Sequence, residues 1–165
     1  MNRGVIVCGY QGIGKSTLAD SNLHYIDLES GNFWIGGKRS ADWYITYVTI
    51  AINLASQGRV VFLSSHKEVR DYLNSVPLPI GIQSMCCVPS ETLKLDWIQK
   101  LHDRYLNSGL DKDFKAWRNA EDRYIENIQE IKHDFEIVAE IVSMNYNLYD
   151  VLQRAFTEHN FGMYT

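Results

Sequence analysis

The sequence is poor in cysteine, in proline and in unbroken apolar runs. Its three cysteines, Cys8, Cys86 and Cys87, are odd in number and two are adjacent, which makes a poor disulfide framework. No CxxC pair and no Cys/His spacing typical of zinc ligands occurs. No stretch of about 18 apolar residues occurs either, which argues against a membrane span. We therefore expect a reduced, cytoplasmic protein without a membrane partner.

Basic residues are not in excess, and they form no stripe. The formal net charge is −4, from 16 Lys and Arg against 20 Asp and Glu, so nucleic acid is not an expected partner. The chain has 165 residues, of which 45% are hydrophobic and three are proline, as in one ordinary folded domain. We predict that residues 1–165 form a single domain, and the sequence leaves open whether it is a monomer or a homodimer.

Short apolar runs alternate with amphipathic segments along the whole chain. Runs rich in β-branched residues predict strands at 5–8, 25–29, 60–63, 82–88 and 135–142. Apolar spacing and capping residues predict helices at 15–22, 41–57, 66–74, 90–107, 117–131 and 147–157. A charged connector is expected at 110–116, after the breaker Asn107-Ser108-Gly109. This alternation predicts an α/β fold, with a five-stranded parallel sheet and helices on both faces.

A glycine-rich segment between the first strand and the first helix is the most specific feature. Gly9-Tyr10-Gln11-Gly12-Ile13-Gly14-Lys15-Ser16 matches the pattern G-x-x-x-x-G-K-[ST] in full. In such a loop backbone N–H groups wrap a phosphate, the lysine reaches the β- and γ-phosphates, and the serine ligates Mg²⁺. A dinucleotide site is rejected, because Thr17 stands where its third glycine would be. The sequence therefore predicts an ATP and Mg²⁺ site formed by Gly9, Gln11, Gly12, Ile13, Gly14, Lys15, Ser16 and Thr17.

The chain resembles the nucleoside and nucleotide kinase branch of P-loop proteins, and more narrowly the deoxynucleoside monophosphate kinases and adenylate-kinase-like proteins of bacteriophages. Besides the P-loop, the resemblance rests on Asp27-Leu28-Glu29, where similar kinases keep D-x-[DE], and on the third strand. That strand departs from many NTPases, because it ends in Ser64-Ser65 without an acidic residue. Asp27 is then the acidic residue expected near Mg²⁺.

The resemblance implies a P-loop NTPase fold with a small lid at about 108–118. It also implies transfer of the γ-phosphoryl group of ATP to a (deoxy)nucleoside monophosphate, giving the diphosphate. Lys15, Asp27, Arg104 and Arg118 are the expected catalytic residues, with Arg123 as a further lid arginine. The residues expected to bind the acceptor are Glu29, Arg39, Lys67 and Arg70. Solvated arginines on a helix surface would produce the same pattern at the lid.

Two other functions stay open at this point. One is a kinase for a nucleoside, a small metabolite or a polynucleotide 5′ end, and the other is an NTP-binding regulator without useful turnover. A nucleoside acceptor carries no phosphate and would not need Lys67 or Arg70. Aromatic residues that could stack on an acceptor base are Phe33, Trp34, Trp43 and Tyr44, although Trp43 is expected in the core.

Overall fold

The most apolar runs of the sequence form the middle of a sheet. In the computed structural model, which describes residues 4–161, β1 (Gly4–Gly9), β3 (Val60–Ser64) and β4 (Ile82–Pro89) are buried along most of their length. The edges are β2 (Tyr25–Asp27) and β5 (Val138–Ile141). All neighbouring strands are parallel, in the order β2-β3-β1-β4-β5. Continuous burial is what a parallel sheet covered on both faces requires, and the predicted five-stranded parallel sheet is confirmed.

Six α-helices lie in the described part of the chain, between and after the strands. They are α1 (Lys15–Ser21), α2 (Trp43–Ala55), α3 (Lys67–Ser75), α4 (Lys94–Ser108), α5 (Asp111–His133) and α6 (Leu148–Glu158), with 3-10 turns at Ser30–Phe33 and Glu91–Leu93. From β1 the chain crosses the sheet in one direction to the edge strand β2. It then crosses in the opposite direction, through β3 and β4, to β5 at the other edge. Because crossovers between parallel strands are right-handed, α1 lies on the opposite face from α2, α3 and α5. The predicted α/β fold with helices on both faces is confirmed.

The strand order creates one crevice at the carboxyl edge of the sheet. β1 and β3 are neighbours, but the chain leaves them toward opposite sides of the sheet. Ligands of open α/β sheets bind outside the carboxyl ends of the strands at such a reversal point. The segments that flank this crevice are the glycine-rich loop after Gly9 and the segment that follows Ser64.

The segment 110–116 differs from its prediction as a charged connector. Gly109 ends α4 in the left-handed conformation, with φ 65°, and α5 begins two residues later at Asp111. Asp113 is only 3% exposed, and its buried charge is compensated because its carboxylate accepts a hydrogen bond from Ser108 and pairs with Arg104. The charge that suggested a solvated connector is thus paired inside a helix–helix contact. Whether this region works as a lid stays a prediction.

The last strand is shorter than the predicted 135–142. It begins at Val138, and Phe135 is a buried residue of the preceding turn rather than a strand residue. Within residues 4–161, no helix combines the length and the apolar character that crossing a bilayer demands.

Candidate functional site

The glycine-rich loop folds back over the end of β1. The Nζ of Lys15 donates a hydrogen bond to the carbonyl oxygen of Gly9 over 3.1 Å. A Cβ atom at position 9 would lie 2.7 Å from Ile13 Cδ1 and 2.9 Å from Lys15 Cδ, so a larger residue there would displace the side chains of Ile13 and Lys15. Gln11, Ser16 and Thr17 are exposed to solvent. The loop therefore presents its lysine and its hydroxyls at the carboxyl edge of the sheet.

Two carboxylates at the end of β2 face this lysine. Burial lowers the pKa of Lys15, and the charges of Asp27 and Glu29 oppose that shift. Burial raises the pKa of Asp27 to about 6, Lys15 acts against the rise, and the charge and hydrogen bond of Glu29 add to it. The structure thus brings Lys15, Asp27 and Glu29 close enough for their charges to interact, and their roles in the site stay a prediction.

The donors at this point suit Mg²⁺ shared with phosphates. Mg²⁺ is usually held by one or two carboxylates, a hydroxyl and the oxygens of a bound phosphate. Ser16 and Asp27 offer this set, and burial, the main cause that raises the pKa of Asp27 to about 6, disfavours an ionised carboxylate that a bound cation would stabilise. Residues 4–161 contain no cluster of three or more His, Cys, Asp or Glu that would hold a metal by itself. The residues therefore fit a metal that binds together with a nucleotide.

A tyrosine of α2 joins the ends of β2 and β3. The hydroxyl of Tyr47 donates to the carbonyl of Leu28 over 2.6 Å and accepts from the N–H of Ser64 over 2.9 Å. Ser64 Oγ lies 2.7 Å from His66 Nδ1, and the His66 ring packs edge-on against Trp43, with 5.4 Å between ring centroids. The floor of the crevice beyond Asp27 is therefore fixed by hydrogen bonds and aromatic contacts.

Arg39 lies above this floor between two indole rings. Its guanidinium carbon is 3.8 Å from the centroid of Trp43 and 4.7 Å from that of Trp34. Trp34 is 53% exposed. In the described part of the chain no carboxylate lies within 4.0 Å of this guanidinium. The arginine is therefore oriented by stacking while its charge is left for another anion.

The other two cations predicted for the acceptor are engaged elsewhere. Arg70 is buried, forms an ion pair with Asp134, and donates to the carbonyls of Ser65 over 3.0 Å and Glu130 over 3.4 Å. Lys67 is exposed and pairs with Asp71 on its own helix over 2.8 Å. Their role in acceptor binding stays a prediction, and it would require both ion pairs to open.

The three predicted lid arginines occupy different environments. Arg118 pairs with Glu121 and Arg123 with Glu130, and both arginines are exposed on α5. Arg104 pairs with the buried Asp113 over 2.8 Å, and its charge contributes to lowering the pKa of Lys15. Arg104 is therefore the lid arginine on the P-loop side of the molecule.

Arg104 also lines a cavity between the end of α4 and the start of α5. The cavity has a volume of about 570 Å³ and is lined by Lys100, Asp103, Arg104, Asn107, Ser108, Leu110, Lys112 and Asp113. The charge of Lys112 reaches Asp27 and lowers its pKa. Two cations of this wall therefore act on the P-loop lysine and its neighbouring carboxylate, Arg104 on Lys15 and Lys112 on Asp27.

Sequence reasoning missed two residues that contact the P-loop, Trp97 and Tyr146, and a third, Lys100, that contacts both of them. Trp97 Nε1 donates to the carbonyl of Gln11 over 2.8 Å, and the hydroxyl of Tyr146 donates to the carbonyl of Ile13 over 2.7 Å. Lys100 Nζ donates to the same Tyr146 hydroxyl over 3.0 Å. A signal existed for Tyr146, because it follows the last strand at the carboxyl edge, whereas nothing local in α4 distinguishes Trp97 or Lys100.

Comparison with known proteins gives little beyond the geometry. No protein-family model matches the chain, and no curated protein matches its sequence. Among solved structures, the chain is similar to a gluconokinase from Sinorhizobium meliloti 1021, with 13% sequence identity and a TM-score of 0.49, over 98% of this chain and 93% of that one.

Proposed function

We propose that the protein transfers the γ-phosphoryl group of ATP to a small acceptor bound in the crevice between the P-loop and the end of β3. The observation that carries this proposal is the placement of Lys15, on a complete P-loop, opposite Asp27 and Glu29 at the end of β2. Arg104 and Lys112 of the cavity wall add two cations whose charges act on Lys15 and Asp27.

The proposed chemistry is positioning together with charge stabilisation. Lys15 and Arg104 would neutralise charge that spreads over the oxygens of the transferring phosphoryl group. Ser16 and Asp27 would hold Mg²⁺, which when bound supplies further positive charge to the phosphates. No covalent intermediate with the protein is required, because the acceptor oxygen attacks the γ-phosphorus directly.

As the acceptor we propose a (deoxy)nucleoside monophosphate. Arg39 supports this choice, since it is oriented between Trp34 and Trp43 and has no carboxylate partner among the described residues. A planar guanidinium is well suited to a phosphate. The half-exposed Trp34 offers an aromatic face on which a base can stack.

A second candidate is an acceptor that carries a hydroxyl group and no phosphate, such as a nucleoside or another small metabolite. It is favoured by the engagement of Arg70 with Asp134 and of Lys67 with Asp71, which leaves Arg39 as the single predicted acceptor cation without an acidic partner in the described chain.

The test is a product assay with Mg-ATP and a panel of nucleoside monophosphates, deoxynucleoside monophosphates, nucleosides and small polyols. Formation of a diphosphate would support the first acceptor class, and phosphorylation of a hydroxyl compound would support the second.

Arg39→Met should raise the KM of a monophosphate acceptor about tenfold, whereas Lys38→Met, at the exposed neighbouring position, should leave that KM unchanged. Lys15→Ala should abolish transfer, and full turnover in that variant would refute the proposal.

ATP binding without transfer to any acceptor would favour the regulator instead.

A further inference from the structure

The P-loop has its own hydrogen-bond donors behind it, on the side away from the crevice. Trp97 of α4 donates to the carbonyl of Gln11, and Tyr146, in the segment between β5 and α6, donates to the carbonyl of Ile13. The Tyr146 hydroxyl also lies 3.5 Å from the carbonyl oxygen of Gly12, so three successive carbonyls of the loop are contacted from this side, those of Gln11 and Ile13 at the shorter distances. Without Trp97 and Tyr146, the carbonyls of Gln11 and Ile13 would bond to water or stay unpaired, and an unpaired buried carbonyl costs free energy.

Fixing these carbonyls also fixes the N–H groups on the opposite side of each peptide plane. In a trans peptide the C=O and the N–H point in opposite directions, and residues 4–161 contain no cis peptide bond. The carbonyl of Gln11 shares its peptide with the N–H of Gly12, and the carbonyl of Ile13 shares its peptide with the N–H of Gly14. Because both carbonyls point outward to Trp97 and Tyr146, both N–H groups point to the inner, concave side of the loop.

The two glycines whose N–H groups are oriented in this way also have an unusual backbone conformation. Gly12 has a φ of 85° and Gly14 a φ of 105°, values that residues with a side chain rarely adopt. Neither N–H group donates a hydrogen bond to another group in the described chain. Two unpaired backbone donors that converge on one concavity form an anion-binding site.

Lys100 continues the chain of hydrogen bonds behind the loop. Its Nζ donates to the Tyr146 hydroxyl, which in turn donates to Ile13, so the ammonium polarises the phenol and strengthens its bond to the loop. The ammonium also lies 4.4 Å from the centroid of the Trp97 ring and 5.0 Å from that of Tyr146. The three side chains therefore form one connected group, which we call the rear brace.

We infer that the rear brace, Trp97, Lys100 and Tyr146, consists of positioning residues that hold the N–H groups of Gly12 and Gly14 toward the phosphates before a nucleotide binds. The inference rests on the proposed ATP binding and names the residues that prepare the loop for it. Without the brace each peptide could turn over, and binding would have to supply the free energy that orders it. The brace acts on phosphate affinity and leaves recognition of the base unchanged.

The main test uses Tyr146→Phe, which removes one oxygen atom and keeps the ring. We expect the affinities for ATP and for inorganic tripolyphosphate to fall together about tenfold, because tripolyphosphate contacts no base-recognition residue. KM for ATP should rise by the same factor, while kcat at saturating ATP should stay within about threefold. The matched control is Tyr149→Phe, whose exposed ring packs against Tyr25 and which should bind both ligands like the unmodified protein.

Two further variants keep the inference open to refutation. Lys100→Met should lower both affinities by about two- to threefold, because Tyr146 keeps its bond to Ile13 but loses its polarising partner. Trp97→Phe removes the hydrogen-bond donor to the Gln11 carbonyl and should lower the affinities for ATP and tripolyphosphate about tenfold. Thermal unfolding of every variant is recorded, since a purely structural role would lower the melting temperature without a matched loss for the two ligands.

The possible outcomes separate the inference from the proposed function. If the unmodified protein binds ATP and tripolyphosphate, and Tyr146→Phe binds both equally well, the rear brace is wrong and the kinase proposal stands. If the unmodified protein binds neither ligand, the proposed function is wrong and the inference is overturned with it. A loss of ATP affinity without a loss of tripolyphosphate affinity would also overturn the inference, because the effect would then lie at the base or the ribose.

Discussion

Asp27 is the residue at which folding stability and the proposed chemistry oppose each other. Burial, reinforced by Glu29, raises its pKa from 3.8 to about 6 despite the nearby Lys15. The folded state therefore binds the proton more tightly than the unfolded chain. The ionised carboxylate then destabilises the fold above about pH 6, and this penalty disappears below the unfolded value near pH 4.

We expect Asp27→Asn to raise the free energy of unfolding at pH 8 by about 1 kcal/mol, because Asp27 is only half-buried and solvent screens part of what the shift of its pKa would give at about 1.4 kcal/mol per unit. The same variant should gain almost nothing at pH 4, and it should lose phosphoryl transfer. Urea denaturation at both pH values measures the difference. Asp20→Asn, at an exposed position of α1, is the control, and an equal gain at pH 4 and pH 8 would contradict the explanation.

Tyr10, the first variable position of the P-loop, carries a buried hydroxyl without a partner in the described chain. Its ring packs edge-on against Tyr124, whose own hydroxyl donates to the carbonyl of Ser90 over 2.7 Å. A buried hydroxyl that makes no hydrogen bond destabilises a fold, whereas one that makes a bond stabilises it modestly. The same substitution at the two tyrosines should therefore change the free energy of unfolding in opposite directions.

We predict that Tyr10→Phe raises the free energy of unfolding by about 1 kcal/mol and that Tyr124→Phe lowers it by about 1 kcal/mol. Chemical denaturation with an unchanged dependence on denaturant concentration measures both. A loss of stability in Tyr10→Phe would show that the hydroxyl has a partner, such as a bound water, that contributes to the fold.

Among the elements, α3 and the end of α5 are joined by one buried ion pair. Arg70, on α3, reaches Asp134 and the carbonyl of Glu130. Removing one partner of a buried pair leaves an uncompensated charge, while replacing both with apolar residues is often neutral. This contact explains Arg70 without any ligand.

Arg70→Met should therefore destabilise the protein by about 3 kcal/mol, and Arg70→Met combined with Asp134→Leu should recover most of that loss. Denaturation of the two single variants and the double variant forms the cycle. In the double variant we expect an unchanged KM for the acceptor. A large rise of KM in a stable double variant would instead place Arg70 in the acceptor site.

The elements also show which parts of the molecule the sequence could predict. The P-loop, the strands and the position of Asp27 are set by local patterns, so they follow from short stretches of sequence. The partner of Arg70 is 64 residues away, and only the tertiary fold decides whether that arginine meets an acid or a ligand. Asp113 shows the same limit. Its charge predicts exposure to solvent, whereas the folded structure buries it beside Arg104.

For the whole molecule, the proposed site depends on elements that are far apart in the sequence. Lys15 follows β1 and Asp27 ends β2, and only β3 lies between these two strands, so the sheet brings both residues to the same part of its carboxyl edge. α4 then supplies Arg104 on one side of the P-loop and Trp97 behind it. Helix α5 is tied to α4 through Asp113, so a movement of one helix would carry the other.

This arrangement makes Arg104 and Arg118 unequal, although the sequence suggests the same role for both. Arg104 lies on the P-loop side, where its charge acts on Lys15, whereas Arg118 is exposed and pairs with Glu121. We expect Arg104→Met to lower kcat about 100-fold, because it removes a fixed cation from the transferring phosphoryl group. Arg118→Met, the matched control on α5, should change kcat less than twofold. Steady-state kinetics with the identified acceptor measures both, and an equal loss in the two variants would mean that α5 closes over the site far enough to bring Arg118 to the phosphates.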